Sequence, residues 1–194
     1  DVLKWQREGW IDYIAPQLYS QIGMKTADYA VLADWWSRNT YGCPLFIGQA
    51  IYRINSASKI EAWRFSDEII RQIQLNRSLP LIGGSIFFSA KYLRSNPAGL
   101  KENLLSQVYQ TKALCPVNPR IVPVLAELPR NPEMTIKKDT VYLSWDRGTS
   151  ANKYYVIYKF RKNNPARIQK SEDIAGLTGM NSFKIKRTRK TRPG

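Results

Sequence analysis

The hydrophobic and polar positions of the first 114 residues repeat in the same order three times. Apolar runs occur at residues 9–19, 44–52 and 81–89, and a segment with apolar residues at helical spacing follows each of them. Short runs that are apolar on both faces are typical of buried strands in a parallel sheet, and the periodic segments indicate helices that cover the sheet. The pattern therefore predicts an α/β architecture.

The first run predicts a buried strand over residues 11–15 that ends at Pro16. Gln17 and Tyr19 then project where the strand ends, and Gln49 and Tyr52 repeat this arrangement after the second run. Ligands of α/β proteins bind at the carboxyl ends of parallel strands. These polar and aromatic residues are therefore candidates for a binding site.

Helices are predicted over residues 1–8, from 26 or 27 to 38, from Ser66 to before Pro80, and after Asn96-Pro97. Apolar residues at helical spacing predict which positions of the second and third helices pack on the sheet. These positions are Tyr29, Leu32, Trp35, Trp36, Ile69, Ile70, Ile73 and Leu75.

The pattern of residue types changes at Cys115. Five prolines punctuate residues 116–132, and strictly alternating segments follow at 140–145 and 153–160, with one more hairpin over 173–185. Short alternating strands between turn signals indicate a β-sandwich, here with too few strands to be complete. We predict a first domain over 1–114, a linker over 115–122 and a β-domain over 123–194.

The composition excludes several kinds of site. The 194 residues contain no histidine, which excludes a Ser-His-Asp triad and histidine-based zinc sites within this chain. Cys43 and Cys115 match no metal-binding spacing and are interpreted as free thiols. We expect no metal and no cofactor, and no stretch is apolar enough for a transmembrane helix.

The net charge of +15 is concentrated in the second half of the chain, where residues from Val117 onward include 17 basic and 6 acidic side chains. The excess is greatest near the end of the sequence, at Lys184, Lys186, Arg187, Arg189, Lys190 and Arg192. Such a cluster suits either a nucleic-acid or anionic partner or a solvated strand edge. We favour the solvated edge and expect no nucleic-acid partner.

The segments 8–19, 45–52 and 84–89, with the Trp35-Trp36 helix after the first, closely resemble the last part of the catalytic barrel of the glycosyl-hydrolase-like 10 family. The resemblance implies strands six to eight of a (β/α)8 TIM barrel over residues 1–114. Residues 117–194 resemble the start of the fibronectin type III domain that follows in Bacteroidetes members. Trp145 would then be the core tryptophan of that domain, with Tyr155 and Ile157 pointing inward.

The resemblance also implies a function. The chain would be the C-terminal part of an exported glycoside hydrolase that cleaves O-glycosidic bonds of a polysaccharide, with peptidoglycan glycan strands as one candidate, by carboxylate acid/base catalysis. The main catalytic acids would lie upstream, so we expect this chain alone to be inactive. The parent would act in the periplasm, at the outer membrane or at the cell surface, and a lipid anchor is one option.

Departures from the family pattern keep a second hypothesis open. Ser20 stands where an aromatic residue is usual, and Met24 stands where a histidine is frequent. Both departures favour a non-catalytic carbohydrate-binding or adhesion module.

Six residues are predicted to bind substrate at the mouth of the barrel: Gln17, Tyr19, Gln49, Tyr52, Ser89 and Lys91. Ser89 would bond a sugar hydroxyl, and Lys91 would meet an acidic group such as a muramic-acid carboxylate. The alternative for each is a role in loop structure. The catalytic residues are unknown, and none of Asp12, Asp28 and Asp34 is expected to be one of them.

Overall fold

The computed structural model describes residues 1–115, 128–147, 154–160 and 170–186. The chain divides into two compact units, of which the first comprises residues 1–110 and the second begins at Thr111. The predicted linker lies outside the described residues beyond Cys115, and so does the basic cluster beyond Lys186. The domain boundaries drawn from the sequence stay predictions.

Three parallel strands form the sheet of the first unit in the order β1 (Gln17–Leu18), β2 (Leu45–Gln49) and β3 (Ile82–Phe87). Gln17 is aligned with Gly48, and Gly48 with Ile86. The mixed α/β class with a parallel sheet is therefore confirmed, while closure into a barrel stays a prediction.

Helices alternate with these strands, as the periodicity predicted. They are α1 (Val2–Arg7), α2 (Tyr29–Arg38), α3 (Asp67–Ser78), α4 (Ala90–Ser95) and α5 (Leu100–Asn103), which continues as a π-helical turn over Leu104–Val108. Asp1 caps α1, and Asp28 caps α2 by accepting the N–H of Ala30 at 2.9 Å. Both caps satisfy amide groups that a helix leaves unpaired in its first turn.

The first apolar run forms less strand than expected. Ile14 makes one isolated bridge to Leu45, and only Gln17 and Leu18 continue the pairing. The interruption falls at Pro16, whose carbonyl accepts the N–H of Gly48 at 2.9 Å but which has no N–H to donate to the ladder. Tyr13 is 57% exposed, whereas Ile14 is buried, so this chain covers only one of the two apolar faces of the segment.

The helix predictions need three corrections. The second helix begins at Tyr29 rather than at 26 or 27, and its buried face includes Ala33 while Trp35 is 44% exposed. The short helix α4 has no counterpart in the prediction. On α3 the predicted face is correct, because Ile69 and Ile70 are buried in a cluster around Trp63, which is only 1% exposed.

The second unit is built from antiparallel pairs in its described part. β4 (Arg130–Lys137), β5 (Thr140–Asp146) and β8 (Ser182–Lys186) form one sheet, and β6 (Tyr155–Tyr158) pairs with β7 (Ile174–Thr178). Trp145 is buried and its ring packs edge-on against Tyr155, with 5.0 Å between ring centroids. Strands therefore occur where alternation predicted them, while identity as a fibronectin type III domain stays a prediction.

Candidate functional site

Three aromatic side chains meet beyond the carboxyl ends of the three strands of the first unit. The ring centroid of Tyr52 lies 5.8 Å from that of Tyr19 and 6.1 Å from that of Phe88, and the Tyr19 and Phe88 rings are 6.2 Å apart. Tyr92, on α4, is a further 6.3 Å from Tyr52. Each strand exit therefore contributes one ring to a single cluster, which we call the aromatic cluster (Tyr19, Tyr52, Phe88 and Tyr92).

Backbone hydrogen bonds fix the exits of β2 and β3 against each other. The N–H of Phe88 donates to the carbonyl of Gln49 at 3.0 Å, and the N–H of Tyr52 donates to the carbonyl of Phe88 at 3.3 Å. The parallel ladder thus extends just past the last strand residues. It holds Tyr52 and Phe88 on adjacent segments in a fixed arrangement.

An open depression of about 220 Å³ lies beside Tyr19. Its lining side chains with polar atoms are Gln17, Tyr19, Ser20 and Arg53, and its apolar ones are Leu18, Met24, Ala27 and Leu32. No carboxylate belongs to this lining, all of which is described. Aromatic carbon beside a few hydrogen-bonding groups is the composition of a site that binds a small polar molecule.

Arg53 is the residue of this site that the sequence reasoning missed. Its guanidinium lies 5.8 Å from the ring centroid of Tyr52 and 5.7 Å from that of Trp63. Its Nε is buried and has no hydrogen-bond partner among the described residues. The only sequence signal was its position directly after Tyr52, and a positive charge in a loop is too common to single out.

Gln17 and Gln49 do not occupy equivalent places, although the sequence pattern around them is the same. Gln17 is aligned with Gly48 and Leu18 with Gln49, so the two glutamines are displaced by one residue in the sheet. A displacement of one residue reverses the face to which a side chain points. Gln17 is accordingly exposed, while Gln49 is fully buried with Leu45 and Ile47.

The buried Gln49 side chain belongs to a polar network between the sheet and α3. Its Nε2 donates to Oε1 of Gln72 at 3.2 Å. Nε2 of Gln72 donates in turn to Oε1 of Glu68 at 2.9 Å and to the carbonyl of Ser20 at 3.1 Å. The structure therefore does not bring Gln49 to the open edge, and its predicted contact with substrate has no support in this geometry.

Glu68 fixes the loop that follows β1. Its side chain is 2% exposed, and Oε1 accepts the N–H of Ile22 at 2.8 Å while Oε2 lies 3.3 Å from the guanidinium of Arg71. The sequence reasoning explained this acid only by its place in the first turn of a helix, where negative charge is favourable. Its contact with a loop 46 residues away required the tertiary structure.

Ser89 and Lys91 lie at the exit of β3. Ser89 is half-buried, and its carbonyl accepts the N–H of Tyr92 at 3.0 Å at the start of α4, after a cis peptide bond that joins it to Phe88. Lys91 is exposed, with its ammonium 5.8 Å from the ring of Tyr92. Both lie next to the aromatic cluster, and their roles in binding stay predictions.

The aspartates considered in the sequence have structural contacts. Asp28 accepts hydrogen bonds from the N–H groups of Ala30 and Gly23, and Asp34 pairs with Arg38 at 2.9 Å. Asp12 is exposed. Within the described ranges no group of three or more acidic, cysteine or histidine side chains is placed to hold a metal ion.

Neither cysteine is in a disulfide, as predicted. Cys43 is buried and its Sγ donates to the Ile11 carbonyl at 3.8 Å, while Cys115 is exposed. The described helices include none that is both long and apolar enough to cross a membrane.

Burial raises the pKa of Tyr19 above its ordinary value, and the nearby Tyr52 raises it further. Both effects disfavour the phenolate. The Tyr19 hydroxyl therefore stays protonated, and able to donate a hydrogen bond, to a higher pH than an unperturbed tyrosine.

Comparison with known proteins finds a family similarity over the part of the chain that carries most of this site. Residues 1–66 match the sequence profile of the family described as glycosyl hydrolase-like 10. The matched residues include Tyr19 and Arg53, which line the depression, and Tyr52 of the aromatic cluster.

Two curated relatives agree with this match. The chain is 40% identical over 166 residues to the glycosyl hydrolase YngK of Bacillus subtilis (strain 168), an alignment that covers 82% of this chain and 32% of YngK. It is 38% identical over 99 residues to the glycosyl hydrolase DigH of Escherichia coli (strain K12), which covers 48% of this chain and 23% of DigH.

The chain thus spans about a third of the length of YngK and about a quarter of that of DigH. The alignment with YngK is longer than the first unit and reaches into the second. The similarity to YngK therefore includes residues of both units.

Proposed function

We propose that this chain contributes part of the catalytic barrel of a glycoside hydrolase and that its aromatic cluster and depression hold sugar residues of a polysaccharide. The observation that carries the proposal is the meeting of Tyr19, Tyr52 and Phe88 at the carboxyl edge of a parallel sheet. Barrel enzymes bind substrate at this edge. The family match and the glycosyl hydrolase relatives support a carbohydrate as the bound molecule.

An uncovered face of the β1–β2–β3 sheet supports the proposal that this sheet is part of a barrel. Gln17, Gly48 and Ile86 share the face opposite the helices through their aligned positions, and Ile86 is 43% exposed. On the same side, the exposed Tyr13 packs edge-on against Phe46 with 5.9 Å between centroids. Further strands of a barrel would cover this face, as barrel interiors are filled by side chains.

In this proposal, this chain supplies groups that bind the sugar, and the rest of the barrel supplies the groups that cleave the glycosidic bond. The rings of the aromatic cluster offer apolar faces and edges to sugar C–H groups, while Gln17 and Arg53 offer hydrogen-bond donors to hydroxyls or carboxylates. Glycoside hydrolysis generally needs two carboxyl groups about 5–10 Å apart. We propose that these carboxylates come from upstream strands of the parent.

We also propose the finer points that the family resemblance implies. Peptidoglycan glycan strands are the proposed substrate, and the parent is proposed to act outside the cytoplasm, either free or held by a lipid anchor. The second unit is proposed to be part of a fibronectin type III-like sandwich. Its support is the packing of Trp145, on the β4–β5–β8 sheet, against Tyr155 of the β6–β7 pair.

The test is hydrolysis of purified peptidoglycan glycan strands and of a panel of neutral polysaccharides, comparing this chain with the protein that carries the complete barrel. We expect cleavage by the longer protein alone, and loss of cleavage when Tyr19 and Tyr52 are both changed to alanine. Cleavage by this chain alone would contradict the upstream location of the catalytic acids. If neither protein cleaves any of these polysaccharides, the proposal that the parent is a glycoside hydrolase is wrong.

A non-catalytic carbohydrate-binding module is the second candidate. It is favoured by the absence of any carboxylate from the depression, whose lining is fully described. Binding of a polysaccharide by the longer protein without any cleavage, and with loss of binding in the same double variant, would support this candidate over the enzyme.

A further inference from the structure

The β4–β5–β8 sheet of the second unit has one face that is polar and basic. The register aligns Thr135 with Tyr142 and Tyr142 with Lys184, and it aligns Lys137 with Thr140 and Thr140 with Lys186. Side chains of directly aligned residues point to the same side of a sheet. We call the face that carries these two rows the basic sheet face (Thr135, Lys137, Thr140, Tyr142, Lys184 and Lys186).

The opposite side of the same sheet has a different composition. Leu143 is aligned with Phe183, and Val141 with Ile185, and these side chains are partly buried. Trp145 shares this side and is buried against Tyr155. Met134 and Ile136 of β4 also lie on this side but are exposed. The buried residues of the sheet are therefore those of β5 and β8 on the apolar side, and the basic sheet face is the opposite side.

Two ammonium groups of the basic sheet face lie near one aromatic ring. Nζ of Lys184 is 5.5 Å and Nζ of Lys137 is 6.0 Å from the ring centroid of Tyr142. Tyr142 is 36% exposed, and Lys137, Lys184 and Lys186 are exposed. An exposed ring between two cations, with threonine hydroxyls in the same rows, combines apolar carbon, positive charge and hydrogen-bonding groups.

Nearby acidic groups do not neutralise this surface. Glu133 lies on the same face but is aligned with Ser144, one row beyond Tyr142, and Asp139 lies in the turn between β4 and β5 next to Lys138. Asp146 lies on the same face at the far end of β5, where it is aligned with Arg130. Three lysines on the face, Lys138 in the turn and Arg130 thus exceed the three acids. A positively charged surface attracts an anionic polymer over distances set by the ionic strength.

We propose that the basic sheet face binds a linear polysaccharide that carries carboxylate groups. The lysine ammonium groups would pair with the carboxylates, and Tyr142 would contact the apolar side of a sugar ring. The choice of a glycan rather than another polyanion rests on the proposed function, because the similarity to a glycosyl hydrolase extends into this unit. A second site of this kind would give the chain an additional contact with an anionic polysaccharide.

The experiment measures binding to polygalacturonate, which carries a carboxylate on each sugar, with dextran as the neutral polysaccharide. The variant is K184Q/K186Q, and the matched control is K59Q/K101Q, which removes the same charge from exposed lysines of the first unit. We expect the affinity of the variant for polygalacturonate to fall about tenfold, which corresponds to about 1.4 kcal/mol of binding free energy. The affinity of the control variant should change little. Unfolding curves of both variants confirm that the fold is retained.

Three outcomes would overturn the proposal. The first is no binding of polygalacturonate by the unaltered protein, and the second is an equal loss in the variant and the control, which would show attraction by net charge alone. The third is tighter binding of a single-stranded DNA oligonucleotide with the same dependence on Lys184 and Lys186, which would assign the face to nucleic acid. Because binding is measured without cleavage, failure of the hydrolase proposal leaves this result interpretable.

Discussion

The carboxylate of Glu68 on α3 accepts a hydrogen bond from the backbone N–H of Ile22, with 2.8 Å between Oε1 and N. This contact joins a helix on the covered side of the sheet to the loop that carries Ser20 and follows Tyr19. Gln72 strengthens the connection by donating to both Glu68 and the Ser20 carbonyl. The position of Tyr19 in the aromatic cluster therefore depends on residues that do not themselves reach the depression.

Replacing Glu68 by alanine should destabilise the first unit. The substitution leaves the N–H of Ile22 and one donor of Gln72 without their acceptor, and an unsatisfied buried donor costs about 1–3 kcal/mol. Urea unfolding measures the free energy of unfolding. The exposed Glu61 provides the control, since E61A should change it by no more than about 0.5 kcal/mol. Equal losses in the two variants would contradict the role given to the buried network.

Replacing Tyr19 by alanine should lower the hydrolytic activity on a polysaccharide of the longer protein that carries the complete barrel. The substitution removes one ring of the aromatic cluster, and we expect kcat/KM to fall about tenfold, equivalent to about 1.4 kcal/mol. Tyr19→Phe keeps the ring and should retain most of the activity. Tyr41→Ala is the matched control, because Tyr41 is exposed in the turn before β2. An unchanged kcat/KM in Y19A would exclude this ring from substrate binding.

Trp63 should be among the residues most important for stability. Its side chain is 1% exposed in a cluster with Ile51, Ile69 and Leu100. Truncation of a buried aromatic side chain to alanine costs about 3–5 kcal/mol, because contacts are lost and a cavity is left. Thermal unfolding of Trp63→Ala measures this loss, with exposed Trp10→Ala as the control. A shift no larger than that of the control would show that the cluster is not a core.

Tyr29 should make stability depend on alkaline pH. Burial raises its pKa well above 10.0, and its hydroxyl donates to Oδ1 of Asn76 at 3.1 Å. The unfolded chain loses this proton near pH 10 while the folded chain keeps it, so the stability that it contributes is complete below pH 10 and is lost as the pH rises further.

The measurement is the free energy of unfolding of wild type and Tyr29→Phe at several pH values from 8 to 11. We expect the difference between the two proteins to become smaller, or to change sign, above pH 10, because phenylalanine has no proton to lose. Tyr41→Phe, at an exposed ring, serves as the control. A difference that stays constant over the whole range would show that Tyr29 does not contribute to the alkaline dependence.

Gly176 on β7 should tolerate no side chain unless Phe183 is made smaller. A Cβ at this position would lie 2.2 Å from the ring of Phe183, well inside van der Waals contact. Overpacking of this kind costs about 1–3 kcal/mol. We expect Gly176→Ala to lower the unfolding free energy of the protein and Phe183→Leu to recover part of the loss in a double-mutant cycle. Strictly additive effects would contradict the contact between these two residues.

The order of strands and helices followed from the sequence because periodicity is a local property of the chain. Apolar runs located β2 and β3, helical spacing identified the buried residues Ile69 and Ile70, and alternation located β5 and β6. The sequence also predicted that the first strand is interrupted at Pro16, because proline has no N–H to donate to the hydrogen-bond ladder. What the sequence alone misjudged was the length of this strand, which is only Gln17–Leu18.

The candidate site was predicted only in part, because its members are separated by tens of residues. The sequence located Tyr19 and Tyr52 at strand exits, but it did not indicate Arg53 or the loop contact of Glu68. Nor could it show that Gln17 and Gln49 point to opposite faces, since that follows from the alignment of Gln17 with Gly48 rather than with Gln49. Local pattern determined which elements form, whereas the pairing register and long-range hydrogen bonds decided which side chains meet.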